Sequence, residues 1–252
     1  MQPRYSETFF LSAGEVNAEQ ELALTVLTAK IIDVATAHAN SLHIGNPDMT
    51  AINGGWVLSR LTIEMERYPK VNDTYTLETW IVSYNRHFSE RAFRVLDEAG
   101  EVLGYATSVW MILDTVTHAG LTLDHFSLPA ELIDGTEPPV GRQARHRTFL
   151  PEEASAPDGK YTFRYCDLDC YRHVNTVRYV SVLLNSFTLE DFDRTRVDRF
   201  ELSFLREAVY GMKVIVRRHD DDDNPLSSSF SLTDSADGHP VLFARIRRSA
   251  RC

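Results

Sequence analysis

Two helical stretches decide the fold of this 252-residue chain: residues 22–40, LALTVLTAKIIDVATAHAN, and residues 174–187, VNTVRYVSVLLNSF. In each, apolar side chains recur every three or four residues, which places them on one face of a helix. A run of alternating residues typical of a strand precedes each helix, at 4–12 and at 161–167. The sequence therefore predicts the same strand–helix unit twice.

Each predicted helix is followed by four strand-like runs. They lie at about 56–66, 73–84, 87–97 and 101–114 in the first half, and at about 197–206, 211–219, 226–233 and 240–248 in the second. The last two runs of each half are joined by a turn rich in Asp and Gly, at residues 97–100 and 234–238. One helix per antiparallel sheet predicts the α+β class. We expect two tandem hot-dog units, each a long helix wrapped by an antiparallel sheet.

The predicted boundaries follow the repeat. Residues 1–126 form the first unit, 127–158 a connector, and 159–252 the second unit. The connector contains Pro129, Pro138, Pro139, Pro151 and Pro157, which favour an irregular segment. Because a duplicated unit supplies within one chain the pairing that single units obtain by dimerising, both a monomer and a homodimer fit the sequence.

Composition excludes several classes of protein. No apolar run reaches the roughly 18 residues of a membrane span, and the N-terminus has no apolar signal core. Three cysteines cannot form a disulfide framework, so we expect a cytoplasmic protein. The net charge of −10 argues against nucleic-acid binding. That charge is uneven, with 8 basic and 16 acidic residues in 1–126 against 18 and 20 in 127–252.

The densest polar cluster, residues 167–175, leads into the second helix. Asp169 and His173 there lie near free helix-start amides, and the backbone N–H groups of Val174 and Asn175 are candidates to bind an anion. The alternative is that Asp169 and Asn175 only build the turn and cap the helix. Residues 13–19, the equivalent stretch of the first half, contain neither His nor Asp, which favours a function in the second half.

The same cluster resembles the active-site segment of the plant and bacterial acyl-acyl-carrier-protein (acyl-ACP) thioesterases. The matching run is Asp167-Leu168-Asp169, His173-Val174-Asn175 and Arg178-Tyr179. The first half resembles that family's N-terminal domain at Trp56-Val57-Leu58-Ser59-Arg60-Leu61, Arg67-Tyr68-Pro69, Glu78-Thr79-Trp80 and Ala106-Thr107-Ser108-Val109-Trp110. The resemblance implies a tandem hot-dog fold and hydrolysis of acyl-ACP to fatty acid and ACP. It also implies an acyl tunnel in the first half, which some of Trp56, Trp80 and Trp110 would line.

The family's pattern is Asp, then Asn two residues later, then His two residues after that. Asp169 and His173 match, but Tyr171 stands at the Asn position. Glu207 matches the family's Glu, and Ala208 stands where the plant enzymes have Cys. A Cys–His–Asn nucleophile triad therefore cannot operate. The hydroxyl of Tyr171 either replaces the amide as a donor or faces away from the site.

The remaining groups are two carboxylates and an imidazole, a general acid–base set. We expect direct water attack on the thioester carbonyl, with Glu207 or Asp169 as base and His173 bonded to the water or the oxygen. The amides near Val174 and Asn175 would hold the oxyanion. An Asp nucleophile that forms an anhydride is the alternative. No cofactor is implied.

Two weaker patterns suggest metal ions. Cys166, Cys170 and His173 have ligand-like spacing without an evident fourth ligand, and residues 220–223 are four consecutive Asp. Core packing and a solvated hairpin loop explain them better, so we predict no metal site.

Arginines of the second half are candidates for docking acidic ACP. They are Arg142, Arg145, Arg147, Arg172 and Arg178, with Arg206, Arg217 and Arg218 adding to the basic excess. Two alternatives to an acyl-ACP thioesterase stay open: an acyl-CoA thioesterase, and a non-catalytic acyl-ACP binding protein that Tyr171 would explain. A hot-dog dehydratase fits less well.

Overall fold

A computed structural model describes residues 1–125, 128–143 and 158–251. The chain divides into two compact units, Met1–Gly141 and Arg142–Cys252. Most of the second half of the predicted connector, including Pro151 and Pro157, lies outside the described residues.

The first unit is one antiparallel sheet with a long helix against it. The sheet order is β1-β3-β4-β5-β2, and β6 pairs with the end of β5. Leu27, Ile31 and Val34 are fully buried on the face of the helix that packs against β1 and β3. Each such side chain contributes roughly 1.5–3 kcal/mol of transfer free energy. The elements are β1 Arg4–Phe10, α1 Leu24–Ser41, α2 Asn46–Met49, β2 Gly54–Met65, β3 Thr74–Tyr84, β4 Ser89–Asp97, β5 Val102–Asp114 and β6 Gly120–Leu121.

The second unit repeats this plan. Its strands are ordered β7-β9-β10-β11-β8, which is the order of the first unit with each strand replaced by its counterpart. The second helix packs through Tyr179, whose ring centroid lies 5.4 Å from that of Phe204 and 5.3 Å from that of Phe163. The elements are β7 Gly159–Thr162, α3 Thr176–Leu184, α4 Leu189–Arg194, β8 Thr195–Phe204, β9 Lys213–Asp221, β10 Asn224–Asp234 and β11 Pro240–Ala250. The predicted fold, two tandem hot-dog units, is confirmed.

The strand predicted at residues 161–167 is wrong from residue 163 onward. The alternation over 161–167 continues past the real end of β7 at Thr162. The carboxylate of Asp167 accepts hydrogen bonds from the backbone N–H of Arg164, at 2.7 Å, and from the hydroxyl of Tyr161. These side-chain bonds close a 3-10 turn at Tyr165–Asp167 and compete with strand pairing.

Candidate active site

Residues 169–173 form a tight turn that Asp169 holds closed. Its Oδ1 accepts hydrogen bonds from the backbone N–H groups of Tyr171, at 2.8 Å, and His173, at 3.1 Å. Its own N–H donates to the carbonyl of His173, and Arg172 takes a positive φ of 67° to complete the turn. Asp169 is therefore a turn-building residue, whatever chemistry it also performs.

The turn places His173 beside Glu207. His173 forms an isolated antiparallel bridge with Val209, so the two segments run past each other. The imidazole Nε2 lies 3.5 Å from Oε2 of Glu207, and the two side chains are 29% and 31% exposed. An imidazole and a carboxylate that are close together and reachable by water are the parts of a general acid–base pair.

The same turn exists in the first unit, built from different side chains. Asn17 Oδ1 accepts from the N–H groups of Glu19 and Glu21, and Gln20 has a φ of 62°. The bridge Val16–Leu22 corresponds to Leu168–Val174 in the second unit. The absence of His and Asp from residues 13–19 therefore marks no difference in backbone. The units differ in chemistry, since Asn17 and Glu21 occupy the places of Asp169 and His173.

The expected oxyanion donors are already used. The N–H of Val174 donates to the carbonyl of Ala208, and that of Asn175 donates to the carbonyl of Asp167, both at 2.8 Å. The expectation that these two amides bind the oxyanion is corrected, because a donor in a backbone bond is not available to a ligand. Asn175 instead caps α3, and its side chain accepts from Val177 N–H at 3.0 Å. Within the described residues, no acceptor is recorded for the N–H of Thr176, the first helical residue.

Tyr179 is a residue of the site that sequence reasoning did not select. It is 2% exposed, and burial raises the pKa of its hydroxyl, with the carboxylates of Glu207 and Asp169 acting in the same direction. The backbone amide of Ala208 hydrogen-bonds the same oxygen and opposes that shift. The hydroxyl therefore stays protonated near both carboxylates. The sequence placed it in the run that resembles the family's active-site segment but gave it no role, which depends on the register of the Glu207 segment.

Tyr171 lies at the outer edge of the turn. Its side chain is 52% exposed, and its pKa is raised by partial burial and by nearby Cys170 and Asp169. Its hydrogen bond to Asp169 is made by the backbone N–H and not by the hydroxyl.

The predicted docking arginines differ in exposure and in ion pairing. Arg172 and Arg178 are exposed near the turn, and Arg178 lies 3.9 Å from the buried carboxylate of Asp167. Arg206 is held by Asp234, at 3.1 Å, and Asp237, at 2.7 Å. Of the other predicted docking residues, Arg142 is exposed, whereas Arg145 and Arg147 lie outside the described residues.

The first unit contains a cavity beneath its helix. It is partly open to solvent, and its lining includes Ala35 and Ala39 of α1, Trp56, Trp110 and Arg91. Trp80 is instead buried elsewhere, with its Nε1 donating to the carbonyl of Thr136 at 2.7 Å. Trp56 and Trp110 therefore line the cavity and Trp80 does not, a distinction that the sequence could not make.

The described parts of the chain lack two other features. No cluster of three or more His, Cys, Asp or Glu side chains there could hold a metal ion. No helix there is both long enough and apolar enough to cross a membrane.

Known proteins resemble this chain along most of its length. The family profile for the acyl-ACP thioesterase N-terminal domain matches residues 2–120, and that for the acyl-ACP thioesterase C-terminal domain matches residues 152–246. A chloroplastic palmitoyl-acyl carrier protein thioesterase of Gossypium hirsutum is 25% identical, over 81% of this chain and 52% of its own. A chloroplastic acyl-[acyl-carrier-protein] hydrolase of Cuphea viscosissima is 26% identical, over 97% of this chain and 58% of its own.

The chain thus spans little more than half the length of these curated relatives. Among solved structures, an acyl-ACP thioesterase from Bacteroides thetaiotaomicron matches with a TM-score of 0.88 at 25% identity, covering 98% of both chains. Because the two profiles account for both hot-dog units, the chain belongs to the acyl-ACP thioesterase family.

Proposed function

We propose that this chain hydrolyses the thioester of acyl-ACP to a free fatty acid and ACP, which ends acyl-chain elongation. The observation that carries the proposal is the 3.5 Å approach of His173 Nε2 to Glu207 Oε2 on a water-accessible turn. Family membership supplies the substrate class. A thiolate is a good leaving group, so activated water is sufficient and no cofactor is required.

The proposed reaction is a direct attack by water. The water oxygen bonds to the thioester carbonyl carbon while Glu207 accepts its proton, and His173 hydrogen-bonds the water or the carbonyl oxygen. The carbon–sulfur bond then breaks, the acyl group leaves as a carboxylic acid, and the thiolate takes up the proton. Glu207 is preferred to Asp169 as base because Oδ1 of Asp169 already accepts two backbone hydrogen bonds. Thr176 N–H replaces Val174 and Asn175 as the proposed oxyanion donor.

An acidic carrier would reach the basic surface of the second unit. Arg172 and Arg178 are exposed around the turn that carries His173. The cavity of the first unit would receive acyl chain between Ala35, Ala39, Trp56 and Trp110. We also propose a reducing, cytoplasmic location, supported by the free and exposed thiols of Cys166 and Cys170.

The test is thiol release from acyl-ACP and acyl-CoA that carry the same acyl chain. Because Cys166 and Cys170 react with thiol reagents themselves, a substrate-free blank or a C166S/C170S variant sets the background. We expect release from acyl-ACP with a higher kcat/KM than from acyl-CoA. Preferred release from acyl-CoA would indicate an acyl-CoA thioesterase. Binding of acyl-ACP without release would support the non-catalytic alternative that Tyr171 raises.

A further inference from the structure

The cavity of the first unit contains a buried cation. Arg91 lines it and is only 4% exposed. Burial lowers the pKa of its guanidinium to about 10, so the group is still charged at neutral pH. Its recorded side-chain hydrogen bond joins NH1 to Nδ1 of His38 at 2.9 Å. No ion pair with a carboxylate is recorded for it among the described residues, which is unusual because buried charges are normally paired.

His38 does not neutralise that charge. Since a guanidinium can only donate, Nδ1 of His38 accepts, and the ring proton lies on Nε2, which is 3.2 Å from the carbonyl of Gln2. Burial, together with the Arg91 charge, lowers the pKa of His38 to about 4. His38 is therefore neutral at neutral pH. The ring of His38 orients the Arg91 guanidinium by accepting one hydrogen bond from it. The other N–H groups of the guanidinium can donate to a bound ligand.

Two buried hydroxyls, of Tyr84 and Ser89, lie in the same part of the sheet as Arg91. Tyr84 Oη and Ser89 Oγ have no hydrogen-bond partner among the described residues. Ser89 lies directly opposite Trp110 in the β4–β5 pair, and Arg91 follows two residues later on the same face. The face of the sheet that carries Trp110 into the cavity thus also carries these polar groups.

We propose that the cavity binds an acyl chain that bears an oxo or hydroxyl oxygen, and that Arg91 donates a hydrogen bond to this oxygen. The proposal rests on the proposed function, since it names the substrate class for that site. A plain hydrocarbon would displace water and leave the guanidinium donors unpaired, at a large cost in free energy. Ala35, Ala39, Trp56 and Trp110 line the same cavity and suit the methylene groups of the chain.

The test measures binding without turnover. Pantetheine amides of dodecanoic acid and of its mono-oxo analogues, with the oxo group moved one carbon at a time, cannot be hydrolysed as thioesters are. They also have no free carboxylate to pair with Arg91. Trp56 and Trp110 line the cavity, so their fluorescence reports occupancy. Because no reaction is needed, a protein that fails to hydrolyse acyl-ACP still gives an answer.

We expect at least one oxo analogue to bind about tenfold more tightly than the saturated amide, which is the effect of one hydrogen bond to a charged group. Arg91→Met should abolish this preference, and Arg67→Met, at a 58% exposed arginine of the same unit, should keep it. Equal affinity for the saturated amide and every oxo analogue overturns the proposal, and so does a preference that survives in Arg91→Met. The wild-type comparison decides alone if Arg91→Met does not fold.

Discussion

His173 Nε2 lies 3.5 Å from Glu207 Oε2, a distance longer than a strong hydrogen bond and short enough for both groups to hold one water molecule. The two residues come from neighbouring segments joined by the His173–Val209 bridge and by the hydrogen bond from Val174 N–H to Ala208 O. Backbone pairing, rather than packing of the side chains, therefore sets their separation. Conservative substitutions at either residue should change the chemistry and leave the fold intact.

Glu207→Gln should lower kcat for acyl-ACP by about 10²–10⁴-fold, the usual contribution of a general base. The amide keeps the size and hydrogen-bonding capacity of the side chain but cannot take up the proton of water. Steady-state kinetics and thermal unfolding would be measured together, with Glu190→Gln, at a 69% exposed surface residue, as the matched control. If Glu207→Gln retained wild-type kcat, Glu207 would not be the base.

Asp169→Asn should separate turn building from chemistry. Asn17 in the first unit shows that an Asn side chain can accept the same two backbone hydrogen bonds. We therefore expect both the unfolding temperature and the kcat of Asp169→Asn to stay near those of the wild type, because Glu207 is the proposed base. A fall in kcat of about 10²-fold would show instead that the Asp169 carboxylate takes part in the chemistry. Asp169→Ala should lower both the unfolding temperature and kcat, since it leaves two backbone donors without their acceptor. A fully active Asp169→Asn would limit Asp169 to its role in the turn.

Tyr171→Phe should change kcat by no more than about twofold, the effect of a typical surface substitution. The reason is that more than half of the Tyr171 side chain is exposed, and its recorded contact with Asp169 is made by the backbone N–H. Tyr171→Asn, which restores the Asn of the family pattern, would be measured in the same assay for comparison. A large loss in Tyr171→Phe would show instead that the phenol hydroxyl replaces the missing amide as a donor.

Periodicity predicted the long helix and most strands, because α1 and strands such as β3 and β9 bury side chains at regular spacing. It failed where a single side chain redirects the backbone: Asp167 ends β7 early by accepting the N–H of Arg164. The expectation for the oxyanion donors, which rested on free amides at a helix start, failed because the partner of Val174 N–H, Ala208 O, is far away in sequence. The family resemblance selected His173 and Glu207 but could not give their distance, which depends on the register of the bridge.

The buried arginine of the cavity could not be predicted from the sequence for a related physical reason. An arginine in an alternating strand reads as solvent-facing, and Arg91 is instead turned inward opposite Ser108 and paired with the neutral ring of His38. Nothing local in the sequence signals that arrangement, since it requires α1 and β4 to be packed together.

The stability of the fold should depend on His38 below neutral pH. Its folded pKa is about 4 against an ordinary value of 6.5, so the unfolded chain takes up a proton in this window and the folded chain does not. The contribution is fully present above pH 6.5 and is lost as pH falls towards 4, by up to about 3 kcal/mol. Urea unfolding at several pH values should show a smaller loss for His38→Gln, which keeps an acceptor for Arg91. His43→Gln, at an exposed histidine, should follow the wild type; equal slopes in all three proteins would contradict the assignment.

Recognition of an acidic carrier should make the KM for acyl-ACP rise with salt, because screening weakens attraction between exposed charges. The matched substrate is the thioester of the same acyl chain with free pantetheine, which lacks the carrier and whose KM should respond little. Arg172→Gln should reduce the salt dependence, since Arg172 is exposed on the turn that carries His173. Arg206→Gln should reduce it less, because Arg206 is already neutralised by Asp234 and Asp237. A KM for acyl-ACP that stays constant from low to high salt would remove the basic surface of the second unit as the docking site.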